Sequence, residues 1–174
     1  MKGLSDAHVP GCEVTSGSLG HGMSVGIGLA LAAKLRGTDQ RVYAIVGDGE
    51  MNEGPIWEAM LLANHHRLDN FVLIIDENGF QAMGPTEEVL DLGDIAEKLR
   101  AFGFDAHAVD GHDELALDRT LNAFLRAADG RPKAIVARTV KGKGVSFMEN
   151  DNTWHYMRLN GETYEQAVAE LAKI

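Results

Sequence analysis

Two short apolar runs, Val42–Val46 and Phe71–Ile75, each end in a cluster of glycine and polar residues. The first runs into Gly47-Asp48-Gly49-Glu50 and the second into Asp76-Glu77-Asn78-Gly79. An apolar run without polar alternation suits a strand buried on both faces, as in a parallel sheet covered by helices. Between the two runs, residues 52–66 are amphipathic and carry Pro55 near their start, where a missing N–H costs little. Strand, helix and strand in that order specify a parallel pair joined by a crossover helix. Both polar clusters then lie at the carboxyl ends of parallel strands, where open α/β sheets bind ligands.

The rest of the chain continues the alternation. From Leu19 to Leu35 apolar residues recur at helical spacing, with Met23, Ile27, Ala30 and Leu31 on one stripe and a stop at Gly37. Gly22, Gly26 and Gly28 each weaken that helix by up to about 1 kcal/mol relative to Ala, so close packing against another backbone is the expected reason for them. Residues 76–85 read as a loop long enough to fold over a ligand. Helices are expected over 95–102, 113–127 and 162–172, and strands over 104–109 and 134–137, the former less buried because its pattern alternates. The fold class implied is α/β: a doubly wound parallel sheet flanked by helices, as a single domain over residues 1–174.

Composition closes several routes. The net charge of −10 is spread along 174 residues with no basic stripe, which removes the electrostatic basis for nucleic-acid binding. No long apolar stretch and no charged-then-apolar leader pattern is present, so a cytoplasmic protein that does not enter a membrane is expected. Cys12 is the only cysteine, so an internal disulfide is impossible and packing is a better account of it than nucleophilic chemistry.

Asp48 and Asn78 stand thirty residues apart and offer one carboxylate and one amide oxygen. Such hard donors suit Mg²⁺ or Ca²⁺ holding a diphosphate, while Gly47 and Gly49 let backbone N–H groups approach a phosphate without a Cβ in the way. A Gly-Asp-Gly by itself is more often a turn. Gly17-Ser18-Leu19-Gly20-His21-Gly22 also invites comparison with a dinucleotide fingerprint. No β-rich run precedes it and no acidic residue ends a second strand at the required distance, which leaves a nicotinamide dehydrogenase as a weak alternative.

Taken with Glu13-Val14-Thr15-Ser16-Gly17-Ser18-Leu19-Gly20-His21-Gly22 and Thr139-Val140-Lys141-Gly142-Lys143-Gly144-Val145, the Gly-Asp-Gly and Asn78 pair resembles the diphosphate-binding domain of thiamine diphosphate enzymes. The resemblance is to the transketolase family in particular, extends from about Val9 to the end, and is closest in kind to the N-terminal subunit of a split transketolase. It implies Asp48 and Asn78 as side-chain metal ligands, with the Phe80 carbonyl as a backbone ligand. It implies cofactor contacts from Gly17, Ser18, Leu19, Gly47, Asp48, Gly49, Glu50, Asn78 and His155, and a place for Glu53 in the contact between the halves of an active-site dimer. A helix N-terminal carboxylate is the simpler account of Glu53, and both roles are compatible. His21 stands where many relatives have glutamine and faces either substrate or a neighbouring subunit. His155 stands about where the family carries a histidine that contacts the diphosphate and assists proton transfer, although Tyr156 replaces the usual glycine after it.

The family's ring-activating glutamate belongs to a second kind of domain, and nothing in this sequence resembles that domain. The family's first segment, with its Ser-Lys-Gly-His-like motif, is also not matched. The function implied is therefore two-carbon ketol transfer by a transferase that needs a second subunit carrying the pyrimidine-binding domain, acting on a sugar phosphate or a 2-keto acid within a homo- or hetero-oligomer. The alternatives are a subunit of another thiamine diphosphate-dependent decarboxylase or synthase, and a non-catalytic assembly subunit.

Overall fold

A computed structural model describes residues 6–173. Its strands are β1 (Val42–Gly47), β2 (Phe71–Glu77), β3 (Phe80–Gln81), β4 (Gly84–Pro85), β5 (Asp105–Asp110) and β6 (Lys133–Arg138). Four of them form the central, fully parallel sheet, in the spatial order β1-β2-β6-β5. Val46 pairs with Ile75 and Gly47 with Asp76, so the polar clusters that end these two strands emerge side by side. The helices are α1 (His21–Arg36), α2 (Gly54–His65), α3 (Thr86–Leu90), α4 (Ile95–Ala101), α5 (Glu114–Arg126) and α6 (Gly161–Leu171). The α/β fold expected from the alternating pattern is the fold observed.

Side-chain alternation divides the core between the two faces of the sheet. Phe71, Leu73 and Ile75 of β2, with Val42, Ala44 and Val46 of β1, pack under residues of α1, α2 and α4, among them Ile27, Met60 and Leu99. Val72 of β2 and Ile135 and Ala137 of β6 point the other way, onto Phe124 of α5. Burying side chains of this size stabilises by about 1.5–3 kcal/mol each, so the larger cluster carries most of the stability of the fold. Among the described residues, α5 is the helix that covers the second face. On β1 the described residues leave that face open, with Tyr43 at 49% and Ile45 at 72% exposure, although the apolar run predicts burial on both sides. Strand β5 is the other edge strand and is half-buried, as its alternation implies.

Of the three glycines in α1, Gly26 behaves as expected. A Cβ there would sit 3.1 Å from Phe71 Cε2 and 3.6 Å from Ala44 Cβ, so its absence lets the helix lie on the sheet. Gly22 and Gly28 meet nothing within 4 Å among the described residues, so close packing inside this chain does not explain them. Residues 76–85 are not an unstructured loop either. They form a small hairpin of β3 with β4, because Gly84 at φ 150° takes a backbone conformation that closes the turn.

Candidate active site

Asp48, at the end of β1, is 2% exposed. Its Oδ1 accepts from Gly49 N at 2.9 Å, and its Oδ2 accepts from Gly79 N at 2.7 Å and from Thr86 Oγ1 at 3.4 Å. Its own N–H donates to the Asp76 carbonyl at 3.1 Å, tying the ends of β1 and β2. Burial raises the Asp48 pKa above the ordinary range; the Gly79 and Gly49 N–H groups oppose that shift and the Asp76 charge adds to it. Among the described residues no ion pair includes Asp48 or Asp76. A carboxylate offers about four lone-pair sites, and Asp48 uses three, which leaves capacity for a cation.

The turn after β2 wraps this carboxylate. Asn78 Oδ1 accepts from Phe80 N at 3.0 Å, and Asn78 Nδ2 donates to Asp76 Oδ2 at 2.9 Å. Pro85 lies opposite Phe80 in the hairpin and has no N–H, so it cannot satisfy the Phe80 carbonyl. Asp48, Asn78 and the Phe80 carbonyl are oxygen donors of the hard kind that Mg²⁺ or Ca²⁺ takes, carried at and just beyond two adjacent strand ends, and their chemistry is compatible with such an ion. Among the described residues no three of His, Cys, Asp and Glu converge as a metal cage of their own.

Gly49 serves packing as well as access. A Cβ there would lie 2.5 Å from Gln81 Cβ and 3.3 Å from Gln81 Cα, so only glycine lets the hairpin close on the turn. A Cβ on Gly47 would meet nothing within 4 Å, which leaves open space beside Asp48 for a phosphate.

The first glycine loop is strapped to the same turn. Glu50 Oε1 accepts from Gly20 N at 2.8 Å, and a Cβ on Gly20, at φ 80°, would reach 3.0 Å from Glu53 Cβ. One Glu50 oxygen is therefore committed to the loop. Glu53 occupies the N-cap of α2 without a side-chain cap hydrogen bond, as a carboxylate at the positive end of the helix. Gly17, Ser18 and Leu19 lie exposed before α1, and His21, also exposed, donates from Nδ1 to the Leu19 carbonyl at 3.1 Å.

His155 ends a short 3₁₀ turn, Asn152–His155, that leans on the hairpin through Asn152 Nδ2 donating to the Gln81 carbonyl at 2.9 Å. Its ring stands edge-on to Tyr156 with centroids 4.8 Å apart. Partial burial, and then the Lys141 charge, lower its pKa and favour the neutral imidazole. The Thr139-Val140-Lys141 segment is pinned in turn by Val140 N donating to His112 Nε2 at 2.9 Å. Five separate sequence segments therefore converge at the carboxyl ends of β1, β2 and β6. A cleft of about 490 Å³ lined by Lys34, Asp69 and Asn70 opens at the opposite end of the sheet, and one of about 320 Å³ runs beside Tyr43 and Ile45; neither includes Asp48, Asn78 or His155.

The motif reading missed Asp76, Thr86, Gln81 and Thr139. Asp76 was visible as the polar end of an apolar run. Its partner Thr139 lies 63 residues away, and nothing local announces the pairing.

The family described as "Transketolase, thiamine diphosphate binding domain" matches residues 3–172. One of the apulose-4-phosphate transketolase subunits, from Phocaeicola vulgatus, is 41% identical over 173 residues, covering 99% of this chain and 61% of that protein. A 6-deoxy-6-sulfo-D-fructose transketolase subunit from a Clostridium species is 41% identical over 165 residues, covering 94% of this chain and 59% of that one. Among solved structures, transketolase from Campylobacter jejuni superposes with a TM-score of 0.85 at 30% identity, over 93% of this chain and 26% of that one. The chain spans about three fifths of the curated relatives' length. Among the described residues no helix is long and apolar enough to cross a membrane.

Proposed function

This chain belongs to the transketolase family through its thiamine diphosphate-binding domain, and from that membership we propose that it is the diphosphate-holding subunit of a two-chain transketolase. The observation that carries the reading is the buried Asp48 carboxylate, ringed by Gly49, Gly79 and Thr86, with the Asn78 amide and the Phe80 carbonyl on the turn around it. Asp48, Asn78 and the Phe80 carbonyl would hold Mg²⁺ or Ca²⁺, and the metal would carry the diphosphate over the open space beside Gly47. When bound, thiamine diphosphate supplies the carbanion chemistry that breaks the bond beside a carbonyl. The protein's share is orientation and electrostatics. Gly17, Ser18 and Leu19 would line the other end of the cofactor, on a loop braced by Glu50. His155, held toward its neutral form, would accept and return a proton near the diphosphate, and His21 would face substrate or a neighbouring subunit.

The pyrimidine-binding domain and its ring-activating glutamate would come from a partner chain, with Glu53 at the contact. The relatives are named for sugars as transketolase subunits, which supports ketol transfer from a sugar phosphate or similar sugar over decarboxylation of a 2-keto acid. The test is calorimetry of thiamine diphosphate with and without Mg²⁺, followed by a two-carbon transfer assay with the candidate partner. Metal-dependent binding and partner-dependent turnover are expected. Ketol transfer by the purified chain alone would overturn the two-chain reading, and absence of metal-dependent binding in the complex would overturn the site.

A further inference from the structure

The Asp76 carboxylate sits between two motifs with both oxygens engaged. Its Oδ2 accepts from Asn78 Nδ2 at 2.9 Å, and its Oδ1 accepts from Thr139 Oγ1. Thr139 follows directly on β6 and is itself held by its N–H donating to the Glu77 carbonyl at 3.1 Å. An asparagine amide has two near-equivalent ends, and a carboxylate can bond only to the NH₂ end. Asp76 on the NH₂ end and the Phe80 N–H on the oxygen end, at 3.0 Å, therefore both favour one orientation of the Asn78 amide.

We propose that Asp76, braced by Thr139, is a positioning residue that locks the Asn78 amide with its oxygen presented as a metal ligand. This rests on the functional reading above and extends it to residues that do not touch the ion. Two consequences follow from the geometry. With Nδ2 bound to a carboxylate, a flip of the amide would set Oδ1 against Asp76 Oδ2, two acceptors without a proton between them, which makes the wrong orientation costly. Donation from Nδ2 to an anion also polarises the amide and enriches Oδ1 in electron density, making it a better donor to a hard cation. The Thr139-Val140-Lys141 segment thereby contributes to the metal site through Asp76, with no ligand atom of its own.

The test compares wild type with the near-isosteric apolar variants Asp76→Leu and Thr139→Val, and with Thr139→Ser, which keeps the hydroxyl. Two readouts are taken: side-chain amide NMR of Asn78 in the metal-free chain, and calorimetric affinity for thiamine diphosphate with and without Mg²⁺. Asp76→Leu, which leaves Asn78 Nδ2 without its acceptor, is expected to abolish the exchange protection of the Asn78 amide and to weaken Mg²⁺-dependent binding by about 10–100-fold, the usual effect of losing an outer-shell partner, with metal-independent binding unchanged. Thr139→Val should produce part of that loss and Thr139→Ser should retain wild-type values. An unchanged amide signal in Asp76→Leu, or Mg²⁺-dependent affinity within about twofold of wild type, would overturn the proposal. If wild type itself shows no Mg²⁺-dependent binding, the metal-site reading fails on its own. The amide measurement then decides the clamp, since loss of protection in Asp76→Leu supports it and retention refutes it.

Discussion

Gly49→Ala tests how tightly the turn and the hairpin are fitted together. The added Cβ would stand 2.5 Å from Gln81 Cβ and 3.3 Å from Gln81 Cα, against about 3.5–4.0 Å for a relaxed carbon contact. The closest atom is a Cβ with the backbone just behind it, so no rotamer change removes the clash and the hairpin must retreat by about 1 Å or more. That movement strains the bond from Gly79 N to Asp48 Oδ2 and the bond from Asn152 Nδ2 to the Gln81 carbonyl. A hydrogen bond to a charged group contributes about 1.5–3 kcal/mol and a neutral one about 0.5–1.5. Replacing glycine returns about 0.4–1 kcal/mol through the unfolded chain. The net expectation is a loss of about 1–3 kcal/mol, centred on the hairpin. With a urea slope of about 1–3 kcal/mol/M this moves the unfolding midpoint down by roughly 0.3–3 M. Hydrogen exchange should quicken at Gly79 and Phe80 before it quickens in β2, because the hairpin opens locally. Mg²⁺-dependent cofactor affinity should fall by at least about tenfold, since the Phe80 carbonyl moves with Gln81. A variant with the wild-type midpoint, unchanged exchange at Gly79 and full affinity would refute the reasoning.

Asp48→Asn should abolish Mg²⁺-dependent binding in calorimetry, whereas Asn78→Ala, which removes a neutral donor and no charge, should weaken it less; equal affinities would refute the ligand assignment. Gly26→Val places a branched side chain where even a Cβ stands 3.1 Å from the buried Phe71 ring, and should cost about 1–3 kcal/mol in urea unfolding, with no change expected if α1 were free to lift from the sheet. Asp129 accepts from the buried Lys133 at 2.6 Å and is held well below the ordinary carboxylate range, by that hydrogen bond first and by the Arg131 backbone N–H second. Its contribution to stability is therefore full above a pH of about 3.8 and fades as the pH falls toward the folded-state value. Asp129→Asn should be less stable than wild type at neutral pH, and the gap in urea midpoints should narrow in acid; a gap independent of pH would exclude the ion pair as its source.

The elements were legible because they rest on local pattern. Apolar runs without alternation gave β1 and β2, the helical stripe through Met23, Ile27 and Ala30 gave α1, and glycines at 37 and 103 marked helix ends, all of which depend on neighbours within a few residues. The resemblance carried by Asp48, Asn78 and the glycine loop was legible for the same reason, since each motif is contiguous. Strand order was a different matter. Nothing in 133–138 states that β6 lies between β2 and β5, because parallel strands pair through backbone groups that every residue carries. The exposure of Tyr43 and Ile45 followed from that order, since α5 covers the inner strands on its face and leaves β1 bare. Tertiary structure also decided what the polar residues do. One Glu50 oxygen holds Gly20 across 30 residues, Gly49 was required by Gln81, and Asp76 was joined to Thr139. These contacts bring together atoms on different strand ends, and a side chain's hydrogen-bond partner is settled by which groups the packed sheet places within about 3 Å, a distance that sequence separation does not encode.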